Sequence, residues 1–276
     1  MGLKVNTNME ALGVHNNLTT TNSKVADSLK RLSSGLRITS AKDDASGFAI
    51  ANSFAAKISS MRVASQNASE AQSMLQTADG AYTKINDILV RMKSLATQAA
   101  SGQTESLTTM NNEFNALQNE IDRIAGSTKY GTTVLVNGSG NANTGITFQV
   151  GASNATSDQI TVKFDSANAQ ALGVSTGIGI NGLASAQAAM SAIDTALTSI
   201  NSFMGSVGAY QNRLQYTIDN VATSIENYSS SESTIRDVDM ASEISDFTKN
   251  QILQQAGMAM LAQANSGPQQ ILTLLR

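Results

Sequence analysis

The sequence predicts a mainly α-helical fold: a long antiparallel coiled-coil helical rod with a small β-hairpin region, its N- and C-terminal helices paired. Three observations lead there. Apolar residues recur at three- and four-residue intervals over long stretches, the repeat of helices packed knobs-into-holes. A single proline in 276 residues, Pro268, leaves room for long helices. Both chain ends are apolar and helix-prone, whereas ends usually lose order unless something ties them down. Their obvious partners are each other and copies of the same chain.

Taken in order, the N-terminal stripe is Leu18, Val25, Leu29, Leu32 and Leu36. A second stripe runs from Met61 through Leu75, Tyr82, Leu89 and Met92 to Ala99 without a miss, and predicts a helix roughly 60 Å long. A break at 101–104 separates it from a third, Leu107, Met110, Phe114, Leu117, Ile121 and Ile124. The fourth begins at Ala186 and reaches Ile235, with only Gln211 and Glu232 out of register. The last residues, 251–276, read QILQQAGMAMLAQANSGPQQILTLLR, with Ile252, Leu253, Met260, Leu261, Leu272 and Leu275 as the apolar positions expected to pack.

Between 127 and 182 the helical period stops and Gly, Asn, Ser and Thr become frequent. Alternating segments at 133–136, 146–150 and 160–164 predict short strands, separated by turns such as Asn137-Gly138 and Asn143-Thr144-Gly145. The rest, about 153–182, reads as a variable loop. The expected organisation is therefore a terminal coiled-coil domain from 1–42 and 237–276, and a helical core at 43–236. That core carries the β-rich segment at about 128–182, and no large outer domain is expected.

Composition narrows the function. Charged residues are only 14% of the chain and the net charge is −3, which gives no reason to expect nucleic acid or an acidic membrane as partner. There is no cysteine, hence no disulfide framework. The sequence shows neither the apolar core of a secretory signal nor a run suited to inserting in a membrane.

Candidate chemistry is thin. The one histidine, His15, lies among Asn16, Asn17 and Thr19 and suits a solvated or interface position better than a triad. The run 177–182, GIGING, matches GxGxxG but lacks the βαβ unit and the acidic residue about 20 positions on, where Ser202 stands. It is expected to be a flexible loop. Asp43-Asp44 and Asp237-Val238-Asp239 lack a calcium-loop pattern, and ion pairs with neighbouring Lys42, Arg37 and Arg236 or helix-end charges account for them. No catalytic, metal or cofactor-binding residues are expected, and the chain does not read as an enzyme.

The segment 29–52, LKRLSSGLRITSAKDDASGFAIAN, taken with QILQQAGMAMLAQAN and the closing ILTLLR, resembles bacterial flagellin, the subunit of the flagellar filament. The internal segments LVRMKSLA (89–96), NEIDRI (119–124), FQVGA (148–152) and GAYQNRL (208–214) resemble the same family's core helices and β-hairpin. Only about 156–184 falls outside the resemblance.

That resemblance implies a structural protein that self-assembles into the flagellar filament, the propeller of swimming motility. The alternative is a hook–filament junction protein. It implies that the paired ends form the innermost layer, D0, and the helical core the next layer, D1. The partners implied are other copies of the chain, an export chaperone shielding about 252–275, the filament cap and the hook-junction proteins. An extracellular location follows, reached through the flagellum's own export channel without a cleaved signal peptide. Arg91, Leu95 and Glu113 match the D1 positions that Toll-like receptor 5 recognises in some flagellins. Ser and Thr between 138 and 176 are candidate carriers of O-linked glycans.

Overall fold

A computed structural model describes residues 8–101, 106–139 and 141–274. They fall into two compact units, one reaching to Ala56 and resuming at Asn227, the other spanning Lys57–Glu226. Long helices dominate: α1 (Met9–Ser34), α2 (Ala45–Ala99), α3 (Leu107–Ser127), α5 (Leu183–Arg236) and α6 (Met240–Leu274). The mainly α-helical prediction is borne out, as are the long packed helices and the small antiparallel hairpin region.

Local chemistry fixes the helix ends. Asn8 caps α1, its side-chain oxygen accepting from the Ala11 amide at 3.0 Å. Gly35 ends the helix in the left-handed conformation (φ 71°), its amide returning to the Arg31 carbonyl at 2.8 Å. Along the helices, hydroxyls of Ser69, Ser73, Thr77, Thr97, Thr195 and Thr217 donate to the carbonyl four residues back. Such bonds satisfy the polar groups of helices that carry few charges.

The Lys57–Glu226 unit has one continuous core. Leu75, Tyr82, Ile85, Leu89 and Met92 of α2 meet Phe114 and Ile121 of α3 and Ile193, Ile200 and Leu214 of α5, all fully buried. Tyr82 and Phe203 pack with their rings tilted by 51°, 5.9 Å between centres, and the Tyr82 hydroxyl donates to the Asp165 carbonyl at 2.7 Å. Burial, above all, raises that hydroxyl well above its ordinary pKa.

The strands are shorter than the alternation predicts. β1 (Lys129–Tyr130) pairs antiparallel with β2 (Thr133–Val134), and β3 (Ile146–Gln149) with β4 (Gln159–Val162). In the second pair Ile146 faces Val162 and Phe148 faces Ile160. One helical turn, α4 (Asn141–Thr144), occupies most of an expected turn.

The segment read as a loop at about 153–182 is instead packed. Ile160, Val162, Phe164, Ala167, Ala169, Leu172, Val174 and Ile180 are all buried in the same core. Polar side chains of α3 hold its backbone: Asp122 accepts from the Ala169 amide at 2.8 Å and Asn111 from the Ile180 amide at 2.9 Å. Gln118, 1% exposed, donates to the carbonyls of Ser175 and Ile178 at 3.0 and 2.8 Å. The GxGxxG run is thus part of a tethered crossing over α3, not a free loop. Its apolar residues are few and set among Gly, Ser and Asn, so composition hid them.

Phe164→Ala should therefore lower the unfolding free energy by about 3–5 kcal/mol, a core-sized loss. Asn154→Ala, on the exposed turn between β3 and β4, should stay within about 0.5 kcal/mol. Urea unfolding of both variants checks this.

Candidate self-assembly surface

The terminal unit is held at one point by a short-range junction. Leu36 and Asp237 form an antiparallel bridge, the Val238 amide donates to the Gly35 carbonyl at 3.0 Å, and the Arg37 amide donates to the Arg236 carbonyl at 2.6 Å. The Arg37 guanidinium adds a bond to the Ile235 carbonyl at 2.6 Å. Next to it, one carboxylate oxygen of Asp43 accepts from the amides and hydroxyls of both Thr39 and Ser40, between 2.9 and 3.1 Å. These donors, the Thr39 hydroxyl first, pull the Asp43 carboxyl down to about 2 from 3.8.

Asp44 then caps the start of α2, accepting from the Ser46 and Gly47 amides at 3.0 and 2.9 Å. A side chain at Gly47 would overlap that carboxylate and lie 2.8 Å from the Ile38 Cδ1. Asp239 caps α6 in the same way through Ala241 at 3.0 Å, while the Ser233 hydroxyl donates to Asp237 at 2.5 Å. The carboxylates in both clusters thus serve caps and turns. The ion pairs expected from Lys42, Arg37 and Arg236 do not form among the described residues: Arg236 sits 3.6 Å from Glu232 instead.

From this junction α1 and α6 run antiparallel. Arg31 lies 3.7 Å from Glu243 near the junction, and at the other end the Asn8 amide group donates to the Ala264 carbonyl at 2.8 Å. The covered positions repeat at three and four residues on both helices. On α1 they are Ala11, Val14, Leu18, Thr21, Val25, Ser28 and Leu32; on α6 they are Glu243, Phe247, Asn250, Gln254, Gly257, Leu261 and Ala264. The α6 side of this seam is mostly small or polar. A Cβ at Gly257 would come 3.3 Å from the Leu18 Cδ1, so Leu18 lies against bare backbone.

Apart from Phe247 and Leu261, the larger apolar side chains of α6 flank the seam. Met240, Ile244 and Met258 lie along one side at helical spacing, Leu253 and Met260 along the other, with Ile252 further round. All six are between 44% and 60% exposed. On α1, Met9, Leu12 and Leu29 are exposed too.

The sequence-predicted positions therefore divide. Leu18, Val25, Leu32 and Leu261 lie in the seam and Leu36 in the junction; Leu29, Ile252, Leu253 and Met260 do not pack within the chain. Leu275 and the side chain of Leu272 lie outside the described residues. Sequence reading missed Thr21, Ser28, Glu243, Asn250, Gln254 and Gly257. Their signal was the heptad spacing itself, which selects Ser28 over its more apolar neighbour Leu29.

In the other unit, Arg91 grips one oxygen of Glu113 through two nitrogens, at 2.8 and 2.7 Å. Leu95 is only 2% exposed and belongs to the core. It cannot present its side chain to a receptor, so the expected three-residue surface reduces to the Arg91–Glu113 pair. His15 is exposed on α1. Among the described residues no group of three His, Cys, Asp or Glu could hold a metal ion, and no helix is long and apolar enough to cross a membrane.

Comparison with known proteins decides the family. The bacterial flagellin N-terminal helical region matches residues 5–141 and the flagellin C-terminal helical region residues 190–275. The chain is 39% identical to a flagellin of Bacillus subtilis (strain 168), over 99% of this chain and 100% of that one. The chain belongs to the bacterial flagellin family. It is 38% identical to a flagellar filament 33 kDa core protein of Treponema phagedenis, over 99% of each chain. A crystal structure of Bacillus cereus flagellin is similar over 56% of this chain and 88% of its own, with 32% identity and a TM-score of 0.49. This flagellin is a structural subunit of the flagellar filament, not an enzyme, and the hook–filament junction alternative is not favoured.

Gly47→Ala should cost about 1–3 kcal/mol through overpacking at the α2 cap, read as a loss of thermal stability in the terminal unit. The folded chain holds Asp43 ionised more firmly than the unfolded chain does. Its contribution is full above the ordinary carboxyl value of 3.8 and is lost as pH falls towards about 2. Asp43→Asn should flatten that acid limb in a pH series of melting curves.

Proposed function

We propose that this flagellin polymerises by covering the two apolar flanks of its terminal helix pair with the same helices of neighbouring copies. One observation carries the reading: Met240, Ile244, Ile252, Leu253, Met258 and Met260 remain between 44% and 60% exposed although the seam between α1 and α6 is already formed. Burying what remains exposed of each such side chain stabilises by about 1 kcal/mol, since roughly half of each is already covered. Placed on two sides of one helix pair, they suit a subunit that must touch more than one neighbour.

On this reading 1–42 with 237–276 is the inner D0 layer and 43–236 is D1. The filament lies outside the cell and its subunit leaves without a cleaved signal peptide. Before export the apolar flanks of α6 need shielding, the role of an export chaperone over about 252–275. The cap and hook-junction proteins would meet the same surface at the two filament ends. Recognition by Toll-like receptor 5 would rest on Arg91 and Glu113, without Leu95.

Leu253→Asn, at a 49% exposed position outside the seam, tests the reading directly. The monomer's melting curve should be unchanged within about 0.5 kcal/mol, while seeded polymerisation followed by light scattering should stop. Filaments growing at the wild-type rate would overturn it.

A further inference from the structure

The methionines among the described residues range from fully buried to well exposed. Met74, Met92 and Met110 are buried in the Lys57–Glu226 core, at 7%, 0% and 7% exposure. Met258 and Met260 are 53% and 60% exposed, one on each flank of the α1–α6 seam, while Met240 on the Met258 side is 44% exposed and Met9 on α1 is 65% exposed. With no cysteine in the chain, these thioethers are the softest nucleophiles it offers to an oxidant.

We propose that Met258 and Met260 are a sulfoxidation site that switches the assembly surface off in the free subunit. The inference rests on the assembly reading above. The co-reactant is a two-electron oxygen donor such as hydrogen peroxide. A sulfur lone pair attacks one peroxide oxygen, the O–O bond breaks as the S–O bond forms, and water leaves. Sulfur loses two electrons and the peroxide gains them. No charge appears on the protein, but an apolar, flexible side chain becomes a polar one with a strong acceptor oxygen. That oxygen would be buried without a donor when a neighbour covers the flank, at the cost of an unsatisfied polar group. Among the described residues the seam contains no methionine, so the α1–α6 pair survives the change. Once a neighbour covers the flanks, the thioethers are out of reach, so assembled subunits resist the reaction that disables free ones.

The test treats full-length monomer with hydrogen peroxide and follows oxygen uptake by peptide mass mapping. Met258 and Met260 should oxidise at least about tenfold faster than Met92, and oxidised monomer should lose seeded polymerisation while keeping its helical content. Treatment with the two stereospecific methionine sulfoxide reductases should restore growth. In a background carrying M9L and M240L, which removes the other exposed thioethers of the helix pair, the double variant M258L/M260L should polymerise normally before and after peroxide, whereas Met258 and Met260 alone should confer sensitivity. In preformed filaments the two residues should oxidise at least about tenfold more slowly than in monomer.

Normal growth of monomer oxidised at both positions would overturn the proposal. Equal peroxide sensitivity of M258L/M260L would do so as well, by placing the lesion elsewhere. If Leu253→Asn also grows normally, the assembly reading fails with it. If Leu253→Asn blocks growth while oxidation does not, only the sulfoxidation site is lost.

Discussion

The seam between α1 and α6 is the constraint on which the rest of this molecule depends. A chain folding alone normally buries its largest apolar side chains first. Here the two terminal helices meet through Leu18, Val25 and Leu32 on one side and, on the other, Phe247 and Leu261 interleaved with Glu243, Asn250, Gln254 and Gly257. Close approach is favoured where Leu18 rests on the backbone at Gly257. The geometry of that choice leaves the greasier residues of α6 on both flanks. The pair is ordered enough to present a surface, yet has left unburied much of what could stabilise it.

The junction at 35–47 and 235–239 serves the same end by local means. Its bonds run mainly from backbone to backbone or from amides and hydroxyls to carboxylates, so the turn into α2 is set without a large core. Gly35 and Gly47 matter for different reasons. The first adopts a left-handed conformation, and the second clears space for the Asp44 cap and the Ile38 methyl. The segment LRITSAKDDASG is dense in such requirements, which is why it reads so distinctly among helices whose sequences are otherwise permissive.

Much of the fold was legible because long helices leave a periodic trace. The stripes at 61–99, 107–124 and 186–235 fall on α2, α3 and α5, and β2, β3 and β4 lie where alternation placed them, whereas β1 at Lys129–Tyr130 had no such trace. Two kinds of error arose where polarity and position disagree. Reading by hydrophobicity chose Leu29 for the seam, whereas the three–four repeat falls on Ser28, and Leu29 is 57% exposed. The Gly- and Ser-rich stretch after β4 looked like loop because its anchors, Phe164, Ala167, Ala169, Leu172, Val174 and Ile180, follow neither a helical nor an alternating period. Its bonds to Asp122, Asn111 and Gln118 of α3 join residues far apart in sequence and leave no local pattern. Leu95 shows a third limit: a matching motif fixes which residue is present, not whether it faces outward.

The hydroxyls turned back onto their own helices have a consequence at the scale of the polymer. A filament multiplies whatever charge its subunit carries, and like charges brought side by side in very large numbers repel. This chain keeps its helix surfaces polar with Ser and Thr whose donors are already engaged one turn back, and carries a net charge of only −3. Adding a further copy therefore brings little new electrostatic work, and the growing end of a long filament meets the next subunit on nearly the same terms as a short one.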